Sequence, residues 1–434
     1  MPGRSLHIAW LGPDPVEGPG VPGVAAELLH GLAGLGHRID CFYPAAEEQL
    51  PPAIEQHPNI TATRGTNRWQ WDRWYSRTRF TAFATGMLAA AFASLRLRRQ
   101  IVRRHRQDPY DVIYQFSTIE SPAVPSALTR TVPLVIHPET HSAGELRSLI
   151  AERALSLRCQ PRWRFAMVLS VMLTRSLVQR FRIRRATLLV CISAVFRDHM
   201  VRDYSFPASK TIVVPNPVRL ERFAAPAGEL SRPAGHPPVM LVLGRVVVRK
   251  GVESVIALAH TLLERGAAVR IRIVGGPSLW SDYTRLLEDL PRENAEYVGK
   301  LPGPEIPGEL AAADLLLQAS RYEPFGLTVA EALAAGVPVL GTTEVGALEG
   351  VDRSVAIAVA PGDVEAMAGA VEELLARLAA NPAAVRSTAC AEARRLFAPE
   401  VVCAQISTAL ERLVDGAARA SGEPQPMATA ARPS

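Results

Sequence analysis

Two glutamates in the stretch EPFGLTVAE, Glu323 and Glu331, have types and spacing that suggest chemistry. An apolar run of strand length precedes them and a helix is predicted from about Leu327 to Ala335, so Glu323 lies where a strand ends and a helix begins. A carboxylate there can accept hydrogen bonds from ligand hydroxyls, and the free N–H groups of the helix start can bind the same ring or a phosphate. Glu331 lies in an otherwise apolar helix, where a carboxylate needs a partner such as a pair of hydroxyls. The alternative interpretation is a capping carboxylate followed by an exposed helical charge.

A basic turn follows an earlier strand. The segment GRVVVRKG places Arg245 and Lys250 on either side of a turn that leads into an amphipathic helix beginning near Gly251. The helix amino terminus and the two cations predict an anion site suited to a diphosphate. Lys250 is notable because the chain has three lysines among its 48 basic residues, so Arg serves wherever a general positive charge is enough. The alternative interpretation is a solvated basic loop.

Glycines end the neighbouring strands of the same region. Gly244 closes VMLVLG, and the pair Gly275 and Gly276 closes IVGG, which lets the backbone approach a ligand closely. YVGK has a similar form, and we expect backbone groups at Val298 to contact a base edge. Paired glycines on their own also occur in ordinary tight turns.

Apolar runs of strand length alternate with helix-length segments along the chain, which is typical of parallel α/β architecture. A proline-rich stretch divides the series, so we predict two doubly wound, Rossmann-like domains that face each other across a cleft, with ligands at the carboxyl ends of the strands. The first, acceptor-binding domain is predicted at 1–220 and a linker at 221–237. The second, donor-binding domain is predicted at 238–395, followed by a helix at 396–415 that crosses back to the first domain and a disordered tail at 416–434. The predicted strands are 6–12, 38–43, 110–117, 132–137, 186–193, 211–215, 238–244, 269–275, 295–299, 314–319, 338–341 and 355–359.

Length and composition are those of a chain with two hydrophobic cores, since 48% of its 434 residues are apolar. Five cysteines lie far apart without metal-ligand spacing, which predicts reduced core residues of a cytoplasmic protein. The first residues lack the features of a secretory signal, and the longest uncharged run, 80–95, is short for a membrane span. Residues 1–220 carry 28 Lys and Arg against 16 Asp and Glu, whereas the remainder carries 20 against 26. The two halves are therefore built for different surroundings.

Several segments together resemble the retaining nucleotide-sugar glycosyltransferases of family 4, which have the GT-B fold: GRVVVRKG, IVGG, VVPNPV and ADLLLQASRYEPFGLTVAEALAAGVPVLGTTEVG. The resemblance covers most of the chain and is most specific over 238–363. It implies transfer of a sugar from a UDP-, GDP- or other NDP-sugar to a hydroxyl acceptor by front-face displacement, without a cofactor. Asp and Glu are not gathered in a DxD-like run, which predicts catalysis without a bound metal.

The resemblance also implies roles for single residues. Glu323 is implied to contact the donor sugar, Glu331 the nucleotide ribose, and Arg245 and Lys250 the diphosphate. The segment 17–44 resembles the family's glycine-rich loop and helix, which puts Gly20 beside the donor phosphate, although Pro19 replaces the usual first glycine. The candidate donor-binding residues are Gly20, Gly244, Gly275, Gly276, Val298, Pro324, Phe325, Gly326, Leu327 and Glu331.

The family also has a histidine near the donor sugar, after a strand of the first domain. Here VIHPETHSAGE offers both His137 and His141, and the sequence does not choose between them. For either histidine a purely structural role is the alternative.

Two basic segments of the first half contain apolar and aromatic residues. Residues 66–106 contain ten arginines and one acid among several Trp, Tyr and Phe residues, and residues 156–186 contain eight arginines and no acid. Such helices are typical of attachment to anionic membranes, so we predict a peripheral contact with the cytoplasmic leaflet and a lipid-linked or amphiphilic acceptor. A solvated arginine-rich face is the alternative. No nucleic-acid-binding signature accompanies these segments.

Rival functions on the same fold remain open. A sugar-nucleotide epimerase or hydrolase is the first alternative, and an epimerase would need additional carboxylates facing the donor from the first domain. A phosphorylase would need a pyridoxal-phosphate lysine, for which Lys210 and Lys300 lie in no suitable context. A basic membrane adaptor with a degenerate transferase fold is disfavoured because both glutamates and both cations are present.

Overall fold

A computed structural model describes residues 4–18, 20–44, 50–65, 95–118, 124–224, 237–277 and 282–421. The chain forms two sheets in which the paired strands all run parallel. The first sheet has the strand order β3-β2-β1-β4-β5-β6-β7. Its strands are β1 His7–Leu11, β2 Arg38–Tyr43, β3 Ile60–Arg64, β4 Val112–Phe116, β5 Leu134–His137, β6 Leu188–Cys191 and β7 Thr211–Val213.

Helices connect these strands on both faces of the first sheet. They are α1 Val21–Gly34, α2 Pro52–Glu55, α3 Ser142–Ala151, α4 Arg153–Cys159, α5 Arg162–Ile183 and α6 Ala194–Tyr204, and residues 95–107 are helical as well.

The second sheet repeats the same plan with the order β10-β9-β8-β11-β12-β13. Its strands are β8 Val239–Leu243, β9 Arg270–Val274, β10 Ala295–Gly299, β11 Leu315–Gln318, β12 Val339–Thr342 and β13 Ala356–Val359. The helices that follow are α7 Val252–Glu264, α8 Ile306–Ala311, α9 Leu327–Ala334, α10 Val364–Ala380, α11 Pro382–Phe397 and α12 Pro399–Ser421.

Strand order reverses between β1 and β4 in the first sheet and between β8 and β11 in the second. In doubly wound sheets the crevice at this reversal, at the carboxyl ends of the strands, is where ligands bind. The two Rossmann-like units that the sequence predicted are confirmed, and each predicted strand is present to within two residues at either end. Strand β3 was missed because it is an edge strand in which Ile60 alone is fully buried, so it carries no apolar run.

Helix α12 crosses back to the first sheet, as predicted. Its side chains Val402, Ile406 and Leu410 are buried in one cluster with the apolar face of α1. Packing is tight enough that a Cβ on Gly31 of α1 would lie 2.4 Å from Cys403 Sγ.

The boundary of the predicted tail needs correction, while much of the linker is untested. Helix α12 continues to Ser421, so residues 416–421 are helical where disorder was predicted. Three alanines in GAARAS favour this continuation. Residues 422–434, and 225–236 of the predicted linker, lie outside the described residues.

In the described parts of the chain, no helix combines the length and the apolar character that crossing a membrane requires. Three of the cysteines, Cys41, Cys191 and Cys403, are buried, and Cys159 and Cys390 are half-buried.

Candidate functional site

The turn between β11 and α9 is held on both sides by the protein. Glu323 donates its N–H to the Glu344 carbonyl at 3.0 Å, and Ala347 donates its N–H to the Phe325 carbonyl at 2.8 Å. The Phe325 ring is buried and lies edge-on to Phe397 of α11, with 5.6 Å between the ring centroids. Gly326, with φ of 100°, then starts α9. The backbone that carries Glu323 is therefore fixed.

The Glu323 carboxylate is buried and meets two cations. Its Oε2 lies 2.5 Å from Lys250 Nζ and 2.9 Å from an Arg249 guanidinium nitrogen, which also donates to the Tyr322 carbonyl. Burial alone would raise the pKa of Glu323, but attraction to Lys250 and Arg249 and their hydrogen bonds outweigh it and lower the pKa to about 2. Glu323 is therefore ionised at neutral pH.

Glycines at the strand ends allow the backbone segments that carry Lys250 and Glu323 to lie close together. Residues Val248–Lys250 form a single 3₁₀ turn, and Gly251 follows with φ of 69°. A Cβ on Gly251 would lie 2.0 Å from the Ala319 carbonyl oxygen, and a Cβ on Gly275 would lie 1.7 Å from the Gly244 carbonyl oxygen. The ends of β8, β9 and β11 could not pack at this distance with larger residues.

The surroundings of this turn carry a net positive charge. Arg245 is exposed and lines a small cavity with Gly244 and Lys250 at the end of β8. The charges of Glu323 and of Glu145, a carboxylate on α3 of the first domain, raise the pKa of Arg249 against the effect of burial. Three cations thus face two carboxylates, which leaves an excess positive charge at the strand ends, suited to an anion.

A cleft between the domains has a volume of about 400 Å³ and is lined by the start of α9, the helix that follows the turn. The first domain contributes Gly20, which has φ of 83° and precedes the 14-residue helix α1. The second domain contributes Leu327 and Glu331 from α9. The cleft therefore joins the start of α1, a helix amino terminus able to bind an anion, to the start of α9.

Glu331 has a different environment from Glu323. Burial raises its pKa to about 7, and the opposing charge of Arg222 does not cancel that effect. Arg219 also lines the cleft, where its Nε donates to Glu27 at 2.8 Å. A ligand that supplied hydrogen-bond donors to Glu331 would stabilise its ionised form.

The two candidate histidines are both fully buried, and they differ in what they contact. His137 Nδ1 lies 2.7 Å from the Tyr114 hydroxyl inside the first domain, and burial lowers its pKa to about 3. His141 Nδ1 lies 2.6 Å from the hydroxyl of Tyr322, the neighbour of Glu323, and burial, only partly opposed by Asp203, lowers its pKa. Of the two, His141 is the one that contacts the turn.

A possible metal-ligand trio is found within the described ranges. The ligand atoms of His141, His199 and Asp203 lie within 4.8 Å of one another. The Arg147 guanidinium contacts both Asp203 Oδ2 and His199 Nδ1, the latter at 2.9 Å. The Arg147 guanidinium therefore already provides a positive charge to these three residues.

The structure brings most of the predicted residues together in two neighbouring groups. Gly244, Gly275, Lys250 and Glu323 form the strand-end group with the exposed Arg245, and Gly20, Leu327 and Glu331 form the cleft group. The remaining candidates have other surroundings: Val298 packs against the core, a Cβ on Gly276 would meet the Lys300 side chain, the Phe325 side chain is in the core, and the Pro324 carbonyl accepts a hydrogen bond from Ser193.

Sequence reasoning missed Arg249 and the cleft arginines Arg219 and Arg222. Arg249 adjoins Lys250 in VVRKG, and the run of two cations before a glycine was the available signal. Arg219 and Arg222 lie at the end of the first domain in RLERF, where nothing local indicates that they line the cleft.

Two family models match the chain in succession. The model described as Glycosyltransferase Family 4 matches residues 20–222, and the model described as Glycosyl transferases group 1 matches residues 230–383. Together they cover most of the residues of both sheets.

Individual relatives are distant. The chain is 28% identical to a glycogen synthase from Mycobacterium tuberculosis over 256 residues, which are 57% of this chain and 59% of that protein. It is 27% identical to a D-inositol 3-phosphate glycosyltransferase from Geodermatophilus obscurus over 393 residues, which are 86% of this chain and 81% of the relative. The match to the glycogen synthase thus spans less than two thirds of that protein's length.

Solved structures share the two-domain architecture. Sucrose-phosphate synthase from Thermosynechococcus elongatus matches with a TM-score of 0.65 and 21% identity, over 95% of this chain and 100% of that one. HepE from Anabaena, solved in complex with UDP-glucose, matches with a TM-score of 0.61 and 20% identity, over 94% and 100%. At this identity the likeness concerns the fold. With the family models matching in both halves, the chain belongs to the group 1 glycosyltransferases and has the GT-B fold.

Proposed function

We propose that this chain transfers a sugar from a nucleotide-sugar to a hydroxyl acceptor with retention of the anomeric configuration. The observation that carries the proposal is the buried, ionised Glu323, held by Lys250 and Arg249 in the turn before α9, the helix whose Glu331 lines the cleft. A carboxylate kept charged in a buried place can accept hydrogen bonds from sugar hydroxyls without first losing a proton.

Each part of a nucleotide-sugar has a suitable partner in this arrangement. The excess positive charge around Arg245 and Lys250 suits the diphosphate, with the amino terminus of α1 at Gly20 on the opposite side of the cleft. Glu331 suits the two ribose hydroxyls, which would stabilise its ionised form. Backbone groups near Val298 are proposed to contact the base.

The proposed reaction is a front-face displacement. The bond between the anomeric carbon and the diphosphate oxygen breaks, the acceptor oxygen forms a bond on the same face, and the departing diphosphate oxygen takes the acceptor proton. Arg245, Lys250 and Arg249 stabilise the charge that develops on the diphosphate, which is the electrostatic task that a bound metal performs in other transferases. We therefore propose a metal-independent reaction.

The test is a donor panel. Purified full-length protein is incubated with UDP-, GDP- and ADP-sugars and simple hydroxyl acceptors, with and without EDTA, and nucleotide release and product are followed by mass spectrometry and NMR. We expect nucleotide release with one donor class, no effect of EDTA and an α-linked product from an α-linked donor. Conversion to an epimer without nucleotide release would replace the proposal with an epimerase, and no binding or turnover of any donor would remove the enzyme assignment.

A membrane surface is the second part of the proposal, and the exposed side of helix α5 supports it. Trp163 and Phe181 are 69% and 71% exposed, and Leu173 and Leu177 between them are at least half exposed. These residues recur at helical spacing and form one apolar stripe, with exposed arginines at 162, 180 and 184 beside it. Apolar side chains next to arginines suit the interface of an anionic bilayer.

The helical residues 95–107 lie next to the end of α5. Burial and the nearby charge of Arg98 lower the pKa of Arg185, so the two basic segments lie near each other. Each arginine near an anionic surface contributes about 1 kcal/mol and a buried Phe about 1.5–3 kcal/mol. Residues 66–94 of the first predicted segment lie outside the described residues. We propose peripheral attachment to the cytoplasmic leaflet and an amphiphilic acceptor.

Flotation with liposomes tests this attachment. We expect the wild type to float with vesicles containing anionic phosphatidylglycerol at low salt and not with neutral vesicles, and the double variant Trp163→Glu, Phe181→Glu to remain at the bottom. Leu263→Glu, which also adds a charge at an exposed apolar residue, but on α7 of the second domain, is the matched control. Equal flotation of all three proteins, or none of the wild type, would contradict the membrane contact at α5.

A further inference from the structure

Helix α6 of the first domain begins directly against the turn that carries Glu323. Ser193, the residue before α6, accepts a hydrogen bond from the Phe196 N–H at 3.0 Å and donates its own hydroxyl hydrogen to the Pro324 carbonyl at 2.7 Å. One hydroxyl therefore both caps a helix of the first domain and bonds the turn of the second domain that carries Glu323.

A carboxylate of the second domain completes this contact. Glu349 accepts the Ala194 N–H at 2.6 Å with one oxygen and the Val195 N–H at 2.7 Å with the other. The first N–H groups of a helix have no partner within the helix, and charge-assisted bonds to them are stronger than neutral ones. Glu349 thus binds the 11-residue helix α6 from across the domain boundary.

The segment that carries Glu349 is also bonded to the turn. The Gly346 N–H donates to the Glu323 carbonyl at 3.2 Å, and Glu323 pairs with Val345 as in a parallel sheet. A Cβ on Gly346 would lie 2.4 Å from both Ser193 Oγ and the Pro324 carbonyl oxygen. Three chain segments are therefore in contact: the start of α6, the turn and the segment 344–349.

We propose that Ser193 and Glu349 form an interdomain latch that couples closure of the two domains to the position of the turn carrying Glu323. They are positioning residues: Ser193 bonds the turn directly, and Glu349 bonds it through the segment 344–349. When the domains separate, the turn loses its hydrogen bond from Ser193, and the segment 344–349 loses the hydrogen bonds between Glu349 and the start of α6. The structural part of this inference is independent of the proposed function, and its effect on donor binding rests on that function.

Hydrogen exchange of the full-length protein, measured by mass spectrometry, tests the structural part. In Glu349→Ala we expect exchange at least ~10-fold faster both at 194–196 and in the turn at 322–327, and a smaller increase in Glu349→Gln, which keeps one acceptor oxygen. Asp363→Asn is the matched control, because Asp363 caps α10 with the same chemistry inside one domain. Its effect should be confined to the start of α10.

Two exchange results would overturn the latch. Faster exchange at 194–196 without any change at 322–327 would reduce Glu349 to a local helix cap. Unchanged exchange at both places would mean that the contact does not hold the domains together in solution.

Binding of UDP or GDP, whichever the wild type binds, is followed by calorimetry on the same proteins and tests the effect on the donor site. We expect Glu349→Ala to weaken binding of that nucleotide about 10-fold, Glu349→Gln less, and Asp363→Asn not at all. If the wild type binds the nucleotide and Glu349→Ala binds it equally well, the coupling is wrong. If the wild type binds neither UDP nor GDP, the proposed function is at fault, and the exchange results still decide the latch.

Discussion

Glu323 and Glu331 lie eight positions apart on one turn and one helix, yet their environments move their pKa values in opposite directions. Both are desolvated, which raises the pKa of a carboxyl group. Glu323 meets Lys250 and Arg249 at hydrogen-bonding distance and its pKa falls to about 2, whereas Glu331 has the charge of Arg222 as its opposing influence and its pKa rises to about 7.

The difference indicates which carboxylate the protein completes by itself. The negative charge of Glu323 is already balanced by Lys250 and Arg249 of its own domain, so its position and ionisation are set before a ligand binds. Among the described residues Glu331 has no such partner, and it lines an open cleft, so a ligand that donates hydrogen bonds there would have the larger effect on its charge. We therefore propose that Glu323 is a preformed contact and that Glu331 is completed by the ligand.

Removing the charge of Glu323 should have the largest effect. Glu323→Gln leaves Lys250 and Arg249 without their carboxylate, and breaking a buried pair in this way costs about 3–5 kcal/mol of unfolding free energy at pH 7. The folded pKa of about 2 is below the ordinary value of 4.5, so this stabilisation is present above pH 4.5 and disappears as the pH falls toward 2. Urea unfolding should show a smaller difference in the free energy of unfolding between variant and wild type at pH 3 than at pH 7.

The control for this prediction is Glu365→Gln, since Glu365 is an exposed partner of Arg265. It should change stability by less than about 0.5 kcal/mol at either pH. A Glu323→Gln protein as stable as the wild type at pH 7 would contradict the preformed ion cluster.

Loss of one cation from the same cluster should act mainly on turnover. Lys250→Ala is expected to reduce turnover of the donor by about 10²-fold or more, equivalent to roughly 2.7 kcal/mol, as loss of a preorganised donor at developing negative charge does. Lys210→Ala, at an exposed lysine of the first domain, should leave the rate unchanged. Near-normal turnover of a folded Lys250→Ala protein would remove Lys250 from the proposed site.

The contribution of Glu331 to stability should depend on pH in the opposite direction to that of Glu323. Its folded pKa of about 7 is above the ordinary 4.5, so its contribution to stability is fully present below pH 4.5 and is lost as the pH rises through 7. Glu331→Gln should therefore be more stable than the wild type at pH 8, by about 3 kcal/mol, and similar to it at pH 4.5. Thermal unfolding without ligand at both pH values measures this, and a variant less stable at pH 8 would contradict the unpaired environment.

The smallest expected effect is on nucleotide binding by the same variant. Glu331→Gln should weaken UDP or GDP, whichever the wild type binds, about 10-fold at pH 8, or about 1.4 kcal/mol, because a neutral amide replaces a charged acceptor for the ribose hydroxyls. Calorimetry with the ribose and the 2′-deoxyribose forms of that nucleotide sharpens the result. The variant should discriminate between them less than the wild type, and equal discrimination would assign the ribose contact to another residue.

Much of this arrangement could be predicted from the sequence because it follows from local patterns. Buried parallel strands leave apolar runs, and the turns that follow those runs, with Lys250 and Glu323, lie at the edge where doubly wound sheets bind ligands. Strand β3 leaves no such run because most of its side chains are exposed at the sheet edge. Which of His137 and His141 contacts the turn could not be predicted, because that contact is made with Tyr322, which is distant in the chain.

The two opposite pKa shifts were likewise beyond the sequence. They depend on which cations reach each carboxylate, and Arg249 reaches Glu323 only because Gly251 lets the chain turn tightly against Ala319. The bonds of Ser193 and Glu349 join residues more than 130 positions apart, and no local pattern marks such pairs.

Helix α12 has a consequence for how the protein must be made. Val402, Ile406, Leu410 and Val414 supply part of the apolar cover of the first sheet, on α1. A ribosome therefore has to synthesise the whole second domain before the first can bury that face, and a fragment that ends at residue 220 would expose it to solvent. The order of synthesis and the order in which the cores are completed are not the same, so the nascent first domain depends on late residues for its final stability.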